Sequence, residues 1–196
     1  MLRLAALGLL QAGPLNGYRL KQQLEIFMDC CISVNYGAVY PLLRRMEEQG
    51  EIALLADEQS KLYSITPLGK ERWCQEMLNH PQESWVNSRS RFLIKFFFFS
   101  HLEPEARQQL IEHRLMTCRL RLAKKQAEPS SADPYQIVLK KRSLQIIQSE
   151  IEWLGEQLNL AIPEQVCPLS LWVSPTETLH EQPSLTGKER GRTEHF

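Results

Sequence analysis

Apolar positions along this chain recur mostly at helical spacing and cluster as strands in one short stretch. From 35 to 50 they fall at Val39, Leu42, Leu43 and Met46, an i, i+3, i+4, i+7 stripe on a 3.6-residue period. Gly50 supplies a helix stop, and Ser33 or Asn35 an N-cap. The opposite side carries Tyr36, Ala38, Tyr40, Arg44 and Arg45, small at its start, then aromatic, then basic. Residues 2–12 are apolar nearly all round, which predicts a buried helix broken by Gly13-Pro14. Asn16 can cap a second helix over 17–29, with Tyr18, Leu20, Leu24 and Phe27 inward and Arg19, Lys21 and Gln22 outward. Two helices joined by the short stretch 30–34, the second with a polar leading face, make a helix-turn-helix.

Two runs rich in strand formers follow, 51–55 and 61–66, separated by Asp57-Glu-Gln-Ser60. They predict a β-hairpin with a four-residue turn. Thr66-Pro67 is an N-cap with proline at N1, opening a helix to about Leu78. Residues 81–88 read as a linker. Residues 90–100 form one apolar helix or a buried strand, with helix favoured. A long helix over 103–127 places Ile111, Leu115, Cys118 and Leu122 on one stripe, and Arg107, Arg114, Arg121, Lys124 and Lys125 elsewhere. After a proline- and serine-containing loop, the helix 135–160 carries Ile137, Leu144, Ile147, Ile151, Leu154 and Leu158 on an a/d heptad, with Lys140 at one d position. The remainder, 161–196, has the scattered prolines and charges of a disordered tail. The pattern therefore predicts a mainly α chain with a small β-hairpin wing: 1–80 a DNA-binding domain, 88–160 a helical dimerisation domain, 161–196 a tail.

Charge complicates this picture. Lys+Arg and Asp+Glu number 23 each, and up to residue 80 the balance is 8 against 9. A protein that coats nucleic acid non-specifically is disfavoured, whereas a sequence-specific binder needs only a local basic face. The five cysteines, Cys30, Cys31, Cys74, Cys118 and Cys167, make no CxxC pair and no metal spacing, so reduced thiols are expected, with adjacent Cys30-Cys31 a candidate redox pair. The apolar start lacks a small-x-small cleavage site, and 92–99 is too short to span a bilayer, so a cytoplasmic protein is expected. His80, His101 and His113 sit at no ligand spacing and no catalytic constellation stands out, so neither enzyme activity nor a cofactor or metal is expected.

Three blocks carry a resemblance: Gly13-Pro-Leu-Asn-Gly-Tyr-Arg-Leu, Tyr36-Gly-Ala-Val-Tyr-Pro-Leu-Leu-Arg-Arg-Met-Glu-Glu-Gln-Gly and Leu62-Tyr-Ser-Ile-Thr-Pro-Leu-Gly. In order and spacing they resemble the PadR family of transcriptional regulators over residues 2–78, and the later helices resemble the longer C-terminal domain of part of that family. The resemblance implies a winged helix-turn-helix that binds operator DNA as a homodimer, usually as a repressor, with the C-terminal helices making the dimer. Two departures stand out. Family wings are basic, whereas this one offers Asp57, Glu58 and the single cation Lys61, and the N-terminus is too short for a basic arm. Within the helix 35–50, Pro41 would press on the carbonyl of Gly37 and bend the first turn.

The candidate DNA contacts are Asn16, Asn35, Tyr36, Ala38, Tyr40, Arg44, Arg45 and Lys61. The tyrosines could instead be core aromatics, the arginines could pair with Glu47 and Glu48, and Asn16 could be only an N-cap. The candidate dimer residues are Ile111, Leu115, Leu144, Ile147, Ile151, Leu154 and Leu158. Trp73, Trp85 and Trp153 could wall a pocket for a planar small-molecule effector, or serve as core packing. The expected function is a DNA-binding transcriptional regulator, a repressor acting as a homodimer on a roughly palindromic double-stranded operator. The alternative is a winged-helix adaptor for protein partners, which the acidic wing would suit.

Overall fold

The computed structural model describes residues 1–28, 36–56, 61–129 and 133–160, all within the first of two compact units. In order these form α1 (Leu2–Leu9), β1 (Leu15–Asn16), α2 (Gly17–Met28), a 3₁₀ turn (Tyr36–Ala38), α3 (Val39–Glu48), β2 (Ile52–Ala56), β3 (Lys61–Ile65), α4 (Pro67–Leu78), α5 (Trp85–Phe97), a 3₁₀ turn (Phe99–His101), α6 (Pro104–Ala127) and α7 (Pro134–Asn159). The wing loop with Asp57 and Glu58, residues Cys30, Cys31 and Asn35, and the tail from 161 lie outside the described residues.

α1 is buried from Leu4 to its end, as its all-round apolar pattern requires, although it stops at Leu9 rather than Ala12. Leu20 and Leu24 of α2, Val39, Leu43 and Met46 of α3, Ile52, and Trp73 and Met77 of α4 close around it. Tyr18 does not join them: it is 67% exposed, because it stands in the first turn of α2 before that helix reaches the core. Pro41 lies in the first turn of α3 rather than inside the helix, where its missing N–H has no helical partner to lose. The 3₁₀ turn just before it takes the place of the expected bend.

Gly50 closes α3 at φ 69°, a left-handed conformation that glycine adopts freely. The Glu51 N–H returns to the Met46 carbonyl at 2.9 Å and the Gly50 N–H to Glu47 at 2.9 Å, a Schellman closure. It delivers the chain into β2, whose register with β3 runs from Ile52 opposite Ile65 to Ala56 opposite Lys61. β1 is a third strand that the pattern did not predict, since two residues carry no period; it pairs with β3, giving the order β1-β3-β2. The Thr66 hydroxyl accepts the Gly69 N–H at 3.1 Å and donates to the Gly50 carbonyl at 2.6 Å, so one residue caps α4 and ties it to the end of α3. A Cβ on Gly69 would collide with the Glu51 carbonyl, so α4 can approach the wing only with glycine there.

α5 begins at Trp85, earlier than expected, because the Ser84 hydroxyl accepts the Asn87 N–H and caps it. The 90–100 stretch is helical to Phe97, as favoured. Its Ile94 and Phe98 belong to the same core as α1. Phe98 fills the space over Gly8, where a Cβ would stand 2.5 Å from the ring. A second core joins Phe92, Phe99, Leu110, Ile111, Leu115, Cys118, Ile147 and Leu154. It lies between α5, α6 and α7, and the a/d stripe of α7 is largely spent there.

Candidate nucleic-acid interface

The outward side of α3 is open. Ala38, Arg44 and Arg45 are exposed and Tyr40 is 53% exposed, while Val39, Leu43 and Met46 hold the helix to the core. Tyr40 packs on Gly17: a Cβ there would stand 3.0 Å from its ring and 3.6 Å from that of Tyr63. The Tyr63 hydroxyl is held above its ordinary range by burial, then by Glu47 and Tyr40. The Asn16 side chain accepts the Arg19 N–H at 2.7 Å, which is the expected N-cap. The backbone of Asn16 also pairs opposite Leu62, one residue from Lys61. β1 thus brings Asn16 at the start of α2, Tyr40 at the start of α3 and Lys61 at the base of the wing to one edge. Of these, Tyr40 and Lys61 are exposed and Asn16 is half-buried.

Tyr36 contributes its backbone to the 3₁₀ turn ahead of α3. Arg44 is 82% exposed and pairs with Glu48 at 3.1 Å, whereas Arg45, in the last turn, forms no ion pair among the described residues. Two exposed residues of α2 beside Asn16, Tyr18 and Arg19, join this edge. Sequence reasoning assigned neither to it; the signal was their place in the first turn after an N-cap, where helix N–H groups and a cation favour an anion.

The candidate dimer residues sit differently. Ile111, Leu115, Ile147 and Leu154 are buried between α6 and α7 of one chain, and Ile151 and Leu158 pack at the margin. Leu144 is half-buried. The stripe was assigned to a partner chain, and α6 of the same chain packs on it. Left exposed are Tyr135, Ile137, Val138, Leu139 and Ile146 on α7 and Val86 and Phe97 on α5. Lys140 at the off-pattern d position donates to the Glu128 carbonyl at the end of α6.

The three tryptophans do not converge. Trp73 is core, edge-on to Phe98 at 6.2 Å and to His101 at 6.0 Å. Trp85 lies under the guanidinium groups of Arg114 at 4.3 Å and Arg121 at 4.7 Å. Trp153 packs against Phe96 at 4.9 Å and Phe92 at 6.2 Å. Trp85 and Trp153 border two adjoining clefts, of about 310 and 490 Å³, that share Arg89, Leu93 and Ile146. No helix among the described residues is long and apolar enough to cross a membrane, and none of their side chains cluster as a metal site.

A helix-turn-helix with a three-stranded sheet and a hairpin wing is a winged-helix domain, and its open face is that of α3. Residues 6–75 match the model of the "Transcriptional regulator PadR-like family". The chain is 25% identical over 177 residues to the negative transcriptional regulator PadR of Bacillus subtilis (strain 168), covering 82% of this chain and 97% of that one. Among solved structures it is similar to Bacillus subtilis PadR in complex with operator DNA, at 23% identity and TM-score 0.39, covering 81% of this chain and 96% of that one. It is also similar to the same protein in complex with p-coumaric acid, at 23% identity and TM-score 0.40, with the same coverage.

Proposed function

We propose that the protein is a DNA-binding transcriptional regulator that represses by occupying a double-stranded operator. The observation that carries this is the shared edge of Asn16, Tyr40, Lys61 and the outward side of α3. A helix enters a major groove with small residues leading, polar tips at base edges and cations at phosphates. Ala38 at the N-cap, then Tyr40 and the pair Arg44 and Arg45 on α3, occur in that order. Such a protein works in the cytoplasm, where chromosomal DNA lies, and needs no catalytic group.

We propose further that it acts as a homodimer on a roughly palindromic site, since two-fold pairing is the commonest closed assembly and matches half-site symmetry. The surface that supports this is the exposed row Tyr135, Val138, Leu139 and Ile146 on α7, at i, i+3, i+4 and i+11, rather than the stripe packed on α6. Selection of bound sequences from random duplexes, followed by binding titrations against salt, tests the function. The expected result is one enriched palindrome whose affinity falls steeply with salt as counterions are released. Binding without sequence preference or salt dependence would refute it in favour of a protein-binding adaptor.

A further inference from the structure

The connection between α4 and α5, residues 79–84, borders with α5 and α6 a cleft of about 400 Å³. Lys95 lines it and is only 3% exposed. Its ammonium donates to the carbonyl of Asn79, the C-cap of α4, and forms no ion pair among the described residues. The two carboxylates nearest in influence are engaged elsewhere: Glu83 with Arg91 at 2.7 Å and Glu76 with Arg3 at 3.5 Å. A helix C-terminus offers a fraction of a charge, and an ammonium has three donors. A buried cation with one carbonyl for company is a costly arrangement unless a counter-ion completes it.

Beside it His80 from the connection stacks on His113 of α6, ring centroids 3.7 Å apart at 26°. Burial, then His113 and Lys95, holds His80 down at about 4; burial, then Lys95 and Arg114, holds His113 low. Burial, then Arg91, brings Lys95 down to about 8, against the opposing pull of Glu83 and Glu76. Arg91 and Arg114 also line the cleft, but each has its own carboxylate, Glu83 and Glu150. The site therefore holds one unmatched cation and two imidazoles whose protonation is disfavoured first by burial and then by the neighbouring cations. Its remaining wall is mixed: Phe92 and Leu110 are apolar, while Ser88 accepts from Arg114 at 2.9 Å and keeps a hydroxyl proton to give.

We propose that this cleft binds a compact, multiply charged oxyanion of the phosphate class, seated on Lys95 and bridging the α4–α5 connection to α6. The anion neutralises Lys95 and makes protonation of the stacked histidines favourable, so binding draws in protons. Inorganic phosphate and a phosphomonoester share this chemistry. An aromatic monoacid fits less well, because it would bring one charge where up to three can be met.

The test is isothermal titration of the full-length, DNA-free protein near pH 6.5 with sodium phosphate, with glycerol phosphate, and with sodium chloride at equal ionic strength. It is repeated in buffers of different ionisation enthalpy. The expected result is saturable phosphate binding with net proton uptake, absent with chloride; whichever phosphate form binds tighter identifies the source. Lys95→Met should weaken binding about ten- to a hundredfold, the loss of one charged hydrogen bond. His113→Asn should reduce proton uptake, and it decides the matter should Lys95→Met not fold. Phosphate acting no differently from chloride, or binding equally to both variants with unchanged proton uptake, overturns the proposal.

Discussion

Removing the Glu150 carboxylate should be the most damaging single polar change in the helical half. Its Oε1 accepts from Arg114 Nε at 2.8 Å and from the second guanidinium nitrogen at 2.6 Å, while Arg89 approaches Oε2 at 3.0 Å. Glu150 is 7% exposed and Arg114 3%, so water cannot replace either partner. Arg114 also donates to Ser88 and lies on Trp85, so it cannot swing out to solvent without leaving both. Glu150→Ala strands that guanidinium and should cost about 3–5 kcal/mol. For a chain of this size that lowers the melting temperature by roughly 6–20 °C. Arg89→Ala removes a half-exposed partner and should cost less than about 1 kcal/mol. Glu150→Met with Arg114→Met removes both buried charges and should recover most of the loss. Urea unfolding followed by circular dichroism measures all three. A Glu150→Ala cost under about 1 kcal/mol, or a double variant no better than the single, would refute the claim that desolvation rather than attraction sets the sign.

Gly69→Ala should destabilise by about 1–3 kcal/mol or more, read by the same unfolding assay, because its Cβ meets the Glu51 backbone, which cannot turn aside. In DNA titrations Arg45→Ala should cost about 1–3 kcal/mol, whereas Glu48→Ala should tighten binding by freeing Arg44 from its carboxylate. His80 and His113 bind protons more weakly folded than unfolded, so their contribution to stability is full above their ordinary 6.5. It should fall as pH drops from there towards about 4, which thermal melts across that window would register. Leu139→Glu with Ile146→Glu should give folded monomers in sedimentation, while Ile147→Asp should unfold the helical half, because Ile147 is 2% exposed within one chain.

The winged-helix half was legible in the sequence because each of its devices is local: a 3.6 period over ten residues, Gly50 as a stop, Thr66-Pro67 as a start. Asn16 as an N-cap was legible for the same reason. Its second role, pairing with β3, was not, since a two-residue strand has no alternation to detect. The stripe on α7 was read correctly as apolar but assigned to a second chain; an a/d pattern records that a helix has a partner and not which one. Lys95, Arg114 and Glu150 escaped for a different reason. Arg114 and Glu150 look like ordinary surface charges in their own heptads and Lys95 like a break in an apolar run; the burial of all three follows from helices that meet only in three dimensions. The pairing of His80 with His113 was invisible in the same way, because thirty-odd residues of intervening chain separate two rings that touch.

The seating of Phe98 over Gly8 bears on how such proteins can be recombined. A reading head from one relative grafted onto the helical body of another would join two surfaces that were never fitted together. The graft would tolerate many mismatches at its rim, but not a side chain at position 8, which would evict the ring from its socket. Chimeras that keep glycine in the head and phenylalanine in the body should express as folded hybrids, and those that keep only one of the two should not. That single pair therefore acts as a compatibility key between α1 and the end of α5, which share one core.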